Sequence, residues 1–179
     1  MEGGIRFYAN TVTSGGMIRS TLPSELRIRV LGPTEAIALI RASSGAIELA
    51  WIAFHLLRIF RNRDYCVATV WQDKRLIHYT HVFPRFWRFP FMSNNDLQLG
   101  DIWTAEDYRG RGIASVVVTQ VLLEKRQPGR TFWYIVHSEN KPSIRLAEKL
   151  GFDLKGTGRK WPLFGIYVLG TYQIERRCK

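Results

Sequence analysis

An Arg-Gly-Arg-Gly turn directly before an apolar run is the part of the sequence best suited to bind an anion. The turn is Arg109–Gly112 and the run is Ile113–Leu123. The first turn of a helix has amide hydrogens without partners and a partial positive charge, and glycines let successive amides converge on a phosphate. Two arginines add charge-assisted hydrogen bonds. The stretch therefore predicts a diphosphate site at the start of a helix.

A second interpretation of the turn stays open, because short glycine motifs often match by chance. In that interpretation the turn is a sharp strand-to-helix connection whose arginines only face water. The turn lacks the Gly-Lys-Ser/Thr of P-loop NTPases and the GxGxxG of dinucleotide-binding folds. The sequence therefore argues against both of those classes.

The segments on either side of the turn predict a strand and a helix. Asp96–Ala105 has the pattern of a strand. The run after the turn is rich in valine, yet Lys125 and Arg126 lie where a helix C-terminus favours cations, and Pro128-Gly129 then ends the segment. We therefore expect strand, turn and helix in this order.

The rest of the chain predicts a mixture of helices and strands. In chain order, we expect a strand at Leu26–Leu31, a helix capped by Thr34, a helix at about Ile47–Phe60, a hairpin of Tyr65–Trp71 and Arg75–Phe83, a surface loop at Pro84–Asn95, a strand at Thr131–Ser138, a helix at Lys141–Phe152, and one or two strands between Asp153 and Ile174.

Length and composition predict one folded domain over residues 1–179, in which residues 1–24 are an extension of uncertain role. The longest apolar stretch, Ala46–Leu57, is too short to cross a bilayer. The first ten residues lack a secretory signal pattern, and Cys66 and Cys178 have no disulfide or zinc spacing. These features predict a cytoplasmic protein without a transmembrane segment.

The net charge of +11 favours anionic partners. The basic residues are scattered along the chain and form no arm or repeated stripe. That distribution favours a phosphate-bearing small molecule over a long polyanion, so we expect no stable nucleic-acid partner. A non-enzymatic domain that binds nucleic acid or an anionic surface stays an alternative.

Two motifs together resemble the acetyl-CoA-binding core of the GNAT superfamily of N-acyltransferases. The first is Arg109-x-x-Gly112-x-Ala114, and the second resembles the family pattern Asn-x-x-Ala/Ser…Lys-x-Gly-Phe. The resemblance covers Asp96 to about Phe152. It implies an α+β fold with a central mixed, mostly antiparallel sheet of about six to seven strands flanked by about four helices. The residues that match the second motif are Asn140, Ser143, Lys149, Gly151 and Phe152.

The resemblance also implies acetyl-CoA as co-substrate, no metal, and a set of cofactor-binding residues. In the family, the glycine turn holds the CoA pyrophosphate, and a backbone N–H on the preceding strand stabilises the oxyanion. Carried over, the acetyl group lies against Ile102–Thr104, and Asn140 faces the pantetheine or the acetyl group. The full set is Ile102, Trp103, Thr104, Arg109, Gly110, Arg111, Gly112, Ile113, Ala114, Asn140 and Ser143.

Acyl transfer to an amine also needs a base, because only the neutral amine attacks. Family members often carry a carboxylate or histidine early on the strand before the turn, and Asp96 is the carboxylate at such a position. Asp96 is equally suited to capping the end of the loop. Asp101 points to the other face unless a β-bulge shifts the register.

A general acid for the departing thiolate is less clear, because many relatives have a tyrosine where this chain has Ala147. His137 has the most useful intrinsic pKa among the substitutes, which also include Ser138 and Tyr134. Unassisted departure of the thiolate is the alternative. We take His137 as the candidate.

The acceptor pocket is expected to come from the N-terminal helices, the hairpin end and the loop that follows the hairpin. His81, Arg85, Trp87 and Phe89 are the candidate substrate-binding residues, since aromatic and basic side chains together suit a sugar or base with a phosphate. The same loop also fits a lid packed on the core. With the positive charge, the first interpretation predicts an amino sugar as acceptor, with a nucleotide-linked sugar included.

The function predicted is N-acetyl transfer from acetyl-CoA to a small primary amine, by direct attack on the thioester. The whole sequence also resembles N-acetyltransferases of surface polysaccharide biosynthesis. Acetylation of a protein or peptide amine is the alternative within the same chemistry. A monomer or a homodimer fits either one.

Overall fold

The structure is a computed structural model that describes residues 4–11, 22–35, 46–163 and 165–177. Its strands are β1 (Ile5–Asn10), β2 (Leu26–Leu31), β3 (Cys66–Gln72), β4 (Arg75–Pro84), β5 (Leu97–Thr104), β6 (Phe132–His137), β7 (Asp153–Leu163) and β8 (Ile166–Arg177), and the helices in the described ranges are α1 (Ala46–Leu56), α2 (Ile113–Glu124) and α3 (Lys141–Lys149). These eight strands form one mixed sheet in the order β2-β3-β4-β5-β6-β1-β7-β8. Among them only β5 and β6 pair in parallel, so the sheet is mostly antiparallel and the α+β prediction is confirmed.

Helix α1 ends four residues before the predicted Phe60, because the chain turns at Arg58. Arg58 has a left-handed φ of 56°. Its N–H donates to the carbonyl of His55, and the N–H of Ile59 donates to the carbonyl of Phe54. This is a Schellman end, in which a left-handed residue stops the helix. The helix predicted after Thr34 falls mostly on residues 36–45, outside the described residues.

Strand β1 lies in the N-terminal stretch for which no helix or strand was predicted. It lies between β6 and β7 and pairs antiparallel with both. Phe7, Tyr8 and Ala9 are all buried. An interior strand covered on both faces has no alternation of polar and apolar residues, so the usual strand signal is missing.

The two faces of the sheet pack against different elements. On one face, helices α2 and α3 bury side chains such as Val117, Val121 and Ile144 against β3–β6. On the other face, Trp51 and Phe54 of α1 pack with the aromatic loop between β4 and β5. We call these the helical face and the aromatic face. No helix in the described ranges is long and apolar enough to span a membrane.

Strand β5 leaves its neighbour β6 after three paired residues. Pairing runs only from Leu97–Phe132 to Leu99–Tyr134. Beyond that point β5 carries a bulge, since His81 of β4 pairs with Gly100 while Tyr79 pairs with Trp103. The bulge and the end of the pairing open a gap between β5 and β6, directly before the glycine turn.

Candidate functional site

A cavity of about 510 Å³ lies between the start of α2 and the exposed side of α3. Strand β5 borders it through Thr104, its last residue. The glycine turn and the first turn of α2 form one wall, and α3 forms the opposite wall. The lining residues are Thr104, Tyr108, Arg109, Gly110, Gly112, Ile113, Ala114, Ser115, Pro142, Ser143, Arg145, Leu146 and Lys149.

The start of α2 has the geometry of an anion site. Gly112 is the N-cap residue with a φ of 78°, and Gly110 has a φ of 76°. A Cβ at either glycine would meet no heavy atom within 4 Å, so this backbone borders open space. No side chain among the described residues caps the helix. The amides of the first turn therefore remain available to a ligand.

A stack around Tyr108 fixes the turn in front of α2. The guanidinium of Arg111 lies 4.8 Å from the Tyr108 ring centroid, and that of Arg75 lies 5.5 Å from it. Arg75 also forms a two-point ion pair with Asp107, and the Tyr108 hydroxyl donates to Gln72. These contacts anchor the turn to the β3–β4 hairpin.

Two backbone amides of β5 face the gap left by β6. At the start of the strand the Leu97 N–H donates to Thr131, on the β6 side, whereas the Ala105 N–H donates to Ile77, on the β4 side. Amide direction alternates along a strand, and the bulge shifts that alternation. After the bulge, the N–H groups of Ile102 and Thr104 therefore point away from β4. The Thr104 carbonyl on the same side accepts a 3.1 Å hydrogen bond from Arg109 Nε.

The structure gathers most of the predicted cofactor residues around the cavity, namely Thr104, Arg109, Gly110, Gly112, Ile113, Ala114 and Ser143. The other four do not line it. Arg111 stacks on Tyr108. Ile102 packs into the core of the helical face. Asn140 is the N-cap of α3, and its Oδ1 accepts from the Ser143 N–H at 3.2 Å. Their cofactor roles stay predictions.

Trp103, the remaining predicted cofactor residue, lies on the aromatic face. Its ring stacks on Tyr79 with centroids 5.5 Å apart and planes 19° from parallel. Trp103 is 37% exposed, unlike most large aromatic side chains of this face. The indole therefore offers a flat surface beside the bulge.

A histidine and a carboxylate meet at the bulge of β5. His81 Nε2 lies 3.6 Å from Asp101 Oδ2, and His81 Nδ1 lies 3.3 Å from the Tyr65 hydroxyl. His81 is buried, whereas the Asp101 side chain is 45% exposed. Asp101 has a φ of 47°, a conformation that costs a residue with a Cβ about 1–2 kcal/mol. Such strain is concentrated at functional sites.

Asp96 is buried directly before β5, where three N–H donors surround its carboxylate. They are the backbone amides of Ser93 at 2.8 Å and Thr131 at 3.0 Å, and Trp133 Nε1 at 3.0 Å. Asp101 is five residues further on, roughly 16 Å along an extended strand. The contacts favour the loop-capping role that the sequence left open, and catalysis by Asp96 stays a prediction.

The residues considered for the general acid are split between the two faces. His137 is exposed at the end of β6, and its carbonyl accepts from the Asn140 N–H. Tyr134 lies on the helical face, and its hydroxyl donates to Ser143 Oγ at 3.3 Å. Ala147 is fully buried in the same core cluster. His137 as acid stays a prediction.

The aromatic loop packs on the core, the interpretation that the sequence left open beside substrate binding. Phe89 is buried and stacks on Tyr172 with centroids 5.6 Å apart. Trp87 packs on Phe54. Arg85 holds the loop itself, since it donates to Asn94 Oδ1 at 2.6 Å and to the Pro90 carbonyl. These packing contacts give Arg85, Trp87 and Phe89 structural roles, and binding of substrate by them stays a prediction.

His78 lies on the helical face, bonded to two hydroxyls. Its Nδ1 is 2.8 Å from Thr104 Oγ1, and its Nε2 is 2.9 Å from Thr80 Oγ1. Burial lowers the pKa of His78 to about 4, so the ring is neutral at pH 7. A neutral ring donates from one nitrogen and accepts at the other. His78 therefore fixes the side chain of Thr104 at the edge of the cavity.

The cavity is also lined by two cations that were not among the predicted cofactor residues. Arg145 and Lys149 are exposed, four residues apart on α3, and both line the wall opposite the glycine turn. Their i,i+4 spacing places them on one helix face, which is the sequence signal that was available. Across the parts of the chain that the structure describes, no group of three His, Cys, Asp or Glu side chains could hold a metal ion.

Comparison with solved structures supports the same fold. The chain matches a GNAT-family acetyltransferase from Colwellia psychrerythraea (19% identity, 85% of this chain and 53% of that one, TM-score 0.55). It matches a GCN5-related N-acetyltransferase from Sphaerobacter thermophilus (18%, 86% and 49%, TM-score 0.58). It also matches the ribosomal-protein-S18-alanine N-acetyltransferase from Escherichia coli (18%, 82% and 88%, TM-score 0.53). The chain spans 48–61% of the length of four of its matches, among them the Colwellia psychrerythraea protein.

Comparison by sequence assigns the family. No curated protein matches the chain in sequence. The family model described as Acetyltransferase (GNAT) family matches residues 38–152, which include the bulge, the glycine turn and α3. That match covers more than half of the chain, so the protein belongs to the GNAT family of acetyltransferases.

Proposed function

We propose that this protein transfers the acetyl group of acetyl-CoA to the primary amine of a small acceptor, favouring an amino sugar. The observation that carries the proposal is the cavity at the start of α2, which ends at the open side of β5. The CoA diphosphate fits the amides of the first turn of α2. The extended pantetheine arm of CoA fits the gap beside β5.

The gap supplies groups for the transition state. Attack of the amine on the thioester carbon forms the C–N bond and places negative charge on the carbonyl oxygen. The N–H groups of Ile102 and Thr104, which point away from β4, are suited to stabilise that oxyanion. The C–S bond then breaks with its electron pair on sulfur, and the nitrogen gives up its extra proton to solvent, leaving the amide and the CoA thiolate.

The Asp101–His81 pair supplies the base. An amine arrives mostly as an ammonium at neutral pH and must lose a proton before it attacks. The exposed carboxylate of Asp101 can attract that ammonium and accept its proton, and His81 Nε2, 3.6 Å behind it, helps to hold the carboxylate in place. The buried Tyr65 hydroxyl holds the far nitrogen of His81.

The Trp103–Tyr79 stack supports a ring-bearing acceptor. The apolar face of a sugar ring packs on an exposed indole, and Trp103 presents one next to Asp101. A protein or peptide amine is the second candidate. Its support is the Escherichia coli enzyme, of which the match covers 88% and whose name gives a ribosomal-protein alanine as substrate.

An amine screen tests the proposal. The full chain is incubated with acetyl-CoA and a panel of free amino sugars, nucleotide-linked amino sugars, polyamines and short peptides, and CoA release is measured. We expect turnover with at least one amino sugar. Turnover with peptides alone would show that the acceptor is a protein or peptide amine and not an amino sugar. No turnover with any amine would contradict the proposed transferase activity.

A further inference from the structure

Tyr134 and Ser143 form a hydrogen-bonded link between the protein core and the cofactor cavity. Tyr134 is 3% exposed on β6, and its hydroxyl donates to Ser143 Oγ at 3.3 Å. Ser143 lines the cavity from the first turn of α3. Thr104 lines the same cavity from the end of β5, so the two side chains border one space from different walls.

The direction of this hydrogen bond determines what Ser143 can do. A serine hydroxyl has one proton and two lone pairs. Tyr134 donates to one lone pair, so the proton of Ser143 remains available to a ligand in the cavity. Burial raises the pKa of Tyr134, and the phenol therefore stays a donor at neutral and mildly alkaline pH. Asn140 holds the Ser143 backbone amide, which fixes the position of the residue.

Helix α3 offers no other hydroxyl for the reaction. Its sequence is KPSIRLAEK, in which Ser143 is the only residue with a hydroxyl group. When the carbonyl oxygen of the thioester accepts from the β5 amides, helix α3 forms the opposite wall of the space around the thioester. The sulfur, attached to the same carbon, then lies within reach of a donor on that wall.

We propose that Ser143, oriented by Tyr134, donates a hydrogen bond to the departing sulfur of CoA. This inference rests on the proposed function. When the C–S bond breaks, its electron pair stays on sulfur, and the Ser143 proton stabilises the thiolate without leaving oxygen. Water later protonates the sulfur. Ser143 is a catalytic residue in this scheme, and Tyr134 is a positioning residue.

The acidity of the bound CoA thiol tests the inference without any acceptor. Affinities for CoA and for desulfo-CoA, which lacks the thiol, are measured by calorimetry from pH 6 to pH 10, with thiolate absorbance as a second readout. A hydrogen-bond donor to the thiolate makes the affinity for CoA rise with pH relative to the affinity for desulfo-CoA. We expect Ser143→Ala and Tyr134→Phe to raise the pKa of the bound thiol by about one unit, a tenfold loss of thiolate affinity.

Two further variants separate this role from general stabilisation. Tyr8 pairs with Tyr134 across β1 and β6, is equally buried, and donates its hydroxyl to Glu148 Oε1 at 3.1 Å. Tyr8→Phe therefore removes a comparable hydrogen bond, and we expect the thiol pKa to stay at the wild-type value. Ser143→Thr keeps a hydroxyl and is expected to retain the wild-type pKa.

The outcomes are distinct. An unchanged thiol pKa in both Ser143→Ala and Tyr134→Phe, or an equal shift in Tyr8→Phe, would overturn the inference while leaving acetyl-CoA binding intact. Failure of the wild type to bind either CoA or desulfo-CoA would overturn the proposed function, and this inference with it.

Discussion

Asp101 and His81 meet across the β5 bulge, with 3.6 Å between the Asp101 carboxylate oxygen and His81 Nε2. The bulge shifts the alternation of β5, so that the side chains of Asp101 and Trp103 both lie on the aromatic face, beside His81 and Tyr79. One strained residue therefore places a carboxylate, a buried imidazole and an aromatic surface together beside the gap.

Replacement of this carboxylate tests its role as the base. We expect Asp101→Asn to lower kcat about 100-fold, in the range that general base catalysis contributes. His81→Asn should lower kcat about 10-fold, since it removes the group behind the base. The KM for acetyl-CoA should stay within about twofold, because neither residue lines the cofactor cavity. Steady-state kinetics with a saturating amine measures all three values.

Asp96→Asn is the matched control for that experiment. The NH₂ group of the asparagine side chain cannot accept from the three N–H donors that bind the carboxylate of Asp96. We therefore expect the free energy of unfolding to fall by about 1–3 kcal/mol. The kcat of the folded variant should stay within about threefold of wild type. A loss of kcat as large as that of Asp101→Asn would instead identify Asp96 as the base.

The glycine at the start of α2 can be tested with a second glycine as control. Gly112 and Gly129 have φ values of 78° and 72°, and a Cβ on either meets nothing within 4 Å. Alanine at either position should therefore lower the free energy of unfolding by about 1–2 kcal/mol. Only Gly112→Ala places its methyl group in the cavity, so we expect it alone to weaken acetyl-CoA binding, by about 10-fold. Equal affinities in calorimetry would exclude the turn from the site.

Trp103 tests the acceptor side independently of the cofactor. We expect Trp103→Ala to raise the KM for a ring-bearing amine about 10-fold, since the stacking surface is lost, and to leave the KM for acetyl-CoA unchanged. Trp103→Phe should recover part of the difference. A rise confined to acetyl-CoA would show that the indole serves the cofactor, as the motif resemblance implied.

The parts of the site that the sequence predicted are those fixed by neighbours along the chain. Gly110, Gly112 and the cations at the end of α2 are local signals, and they located the turn and helix α2. Residues of both motifs that resemble the GNAT family line the two walls of the cavity. Local hydrogen bonding is enough to specify such features.

The parts that were missed depend on contacts between distant residues. Strand β1 forms because it pairs with β6 and β7, which lie more than a hundred residues away in sequence. The bulge at Asp101 changes which side chains share a face, and strict alternation therefore separated Asp101 from the site. For Phe89, aromatic character alone did not distinguish a binding surface from a packed core.

His78 predicts a specific pH dependence of stability. Burial lowers its pKa to about 4 in the folded protein, against 6.5 in the unfolded chain. The unfolded state therefore takes up a proton first, and stability present above pH 6.5 is lost as the pH falls toward 4. The expected loss is about 3 kcal/mol. Urea unfolding at intervals between pH 7 and pH 4 measures it.

His78→Gln isolates that contribution from the carboxylates that also titrate in this range. The variant has no imidazole to protonate, so its stability should fall about 3 kcal/mol less than that of the wild type over the same interval. If the stability of the two proteins fell in parallel with pH, the pKa of His78 would be the same in the folded protein as in the unfolded chain.

Titration of the full chain with acetyl-CoA in a calorimeter is the most direct test of the central claim, that the amides at the start of α2 hold the diphosphate of a thioester cofactor. The account predicts one site per chain with a dissociation constant on the order of 1–100 μM. It also predicts competition by CoA and a rise in the unfolding free energy of about 2.7 kcal/mol at a hundredfold excess over that constant. Neither heat nor stabilisation at millimolar acetyl-CoA would contradict it.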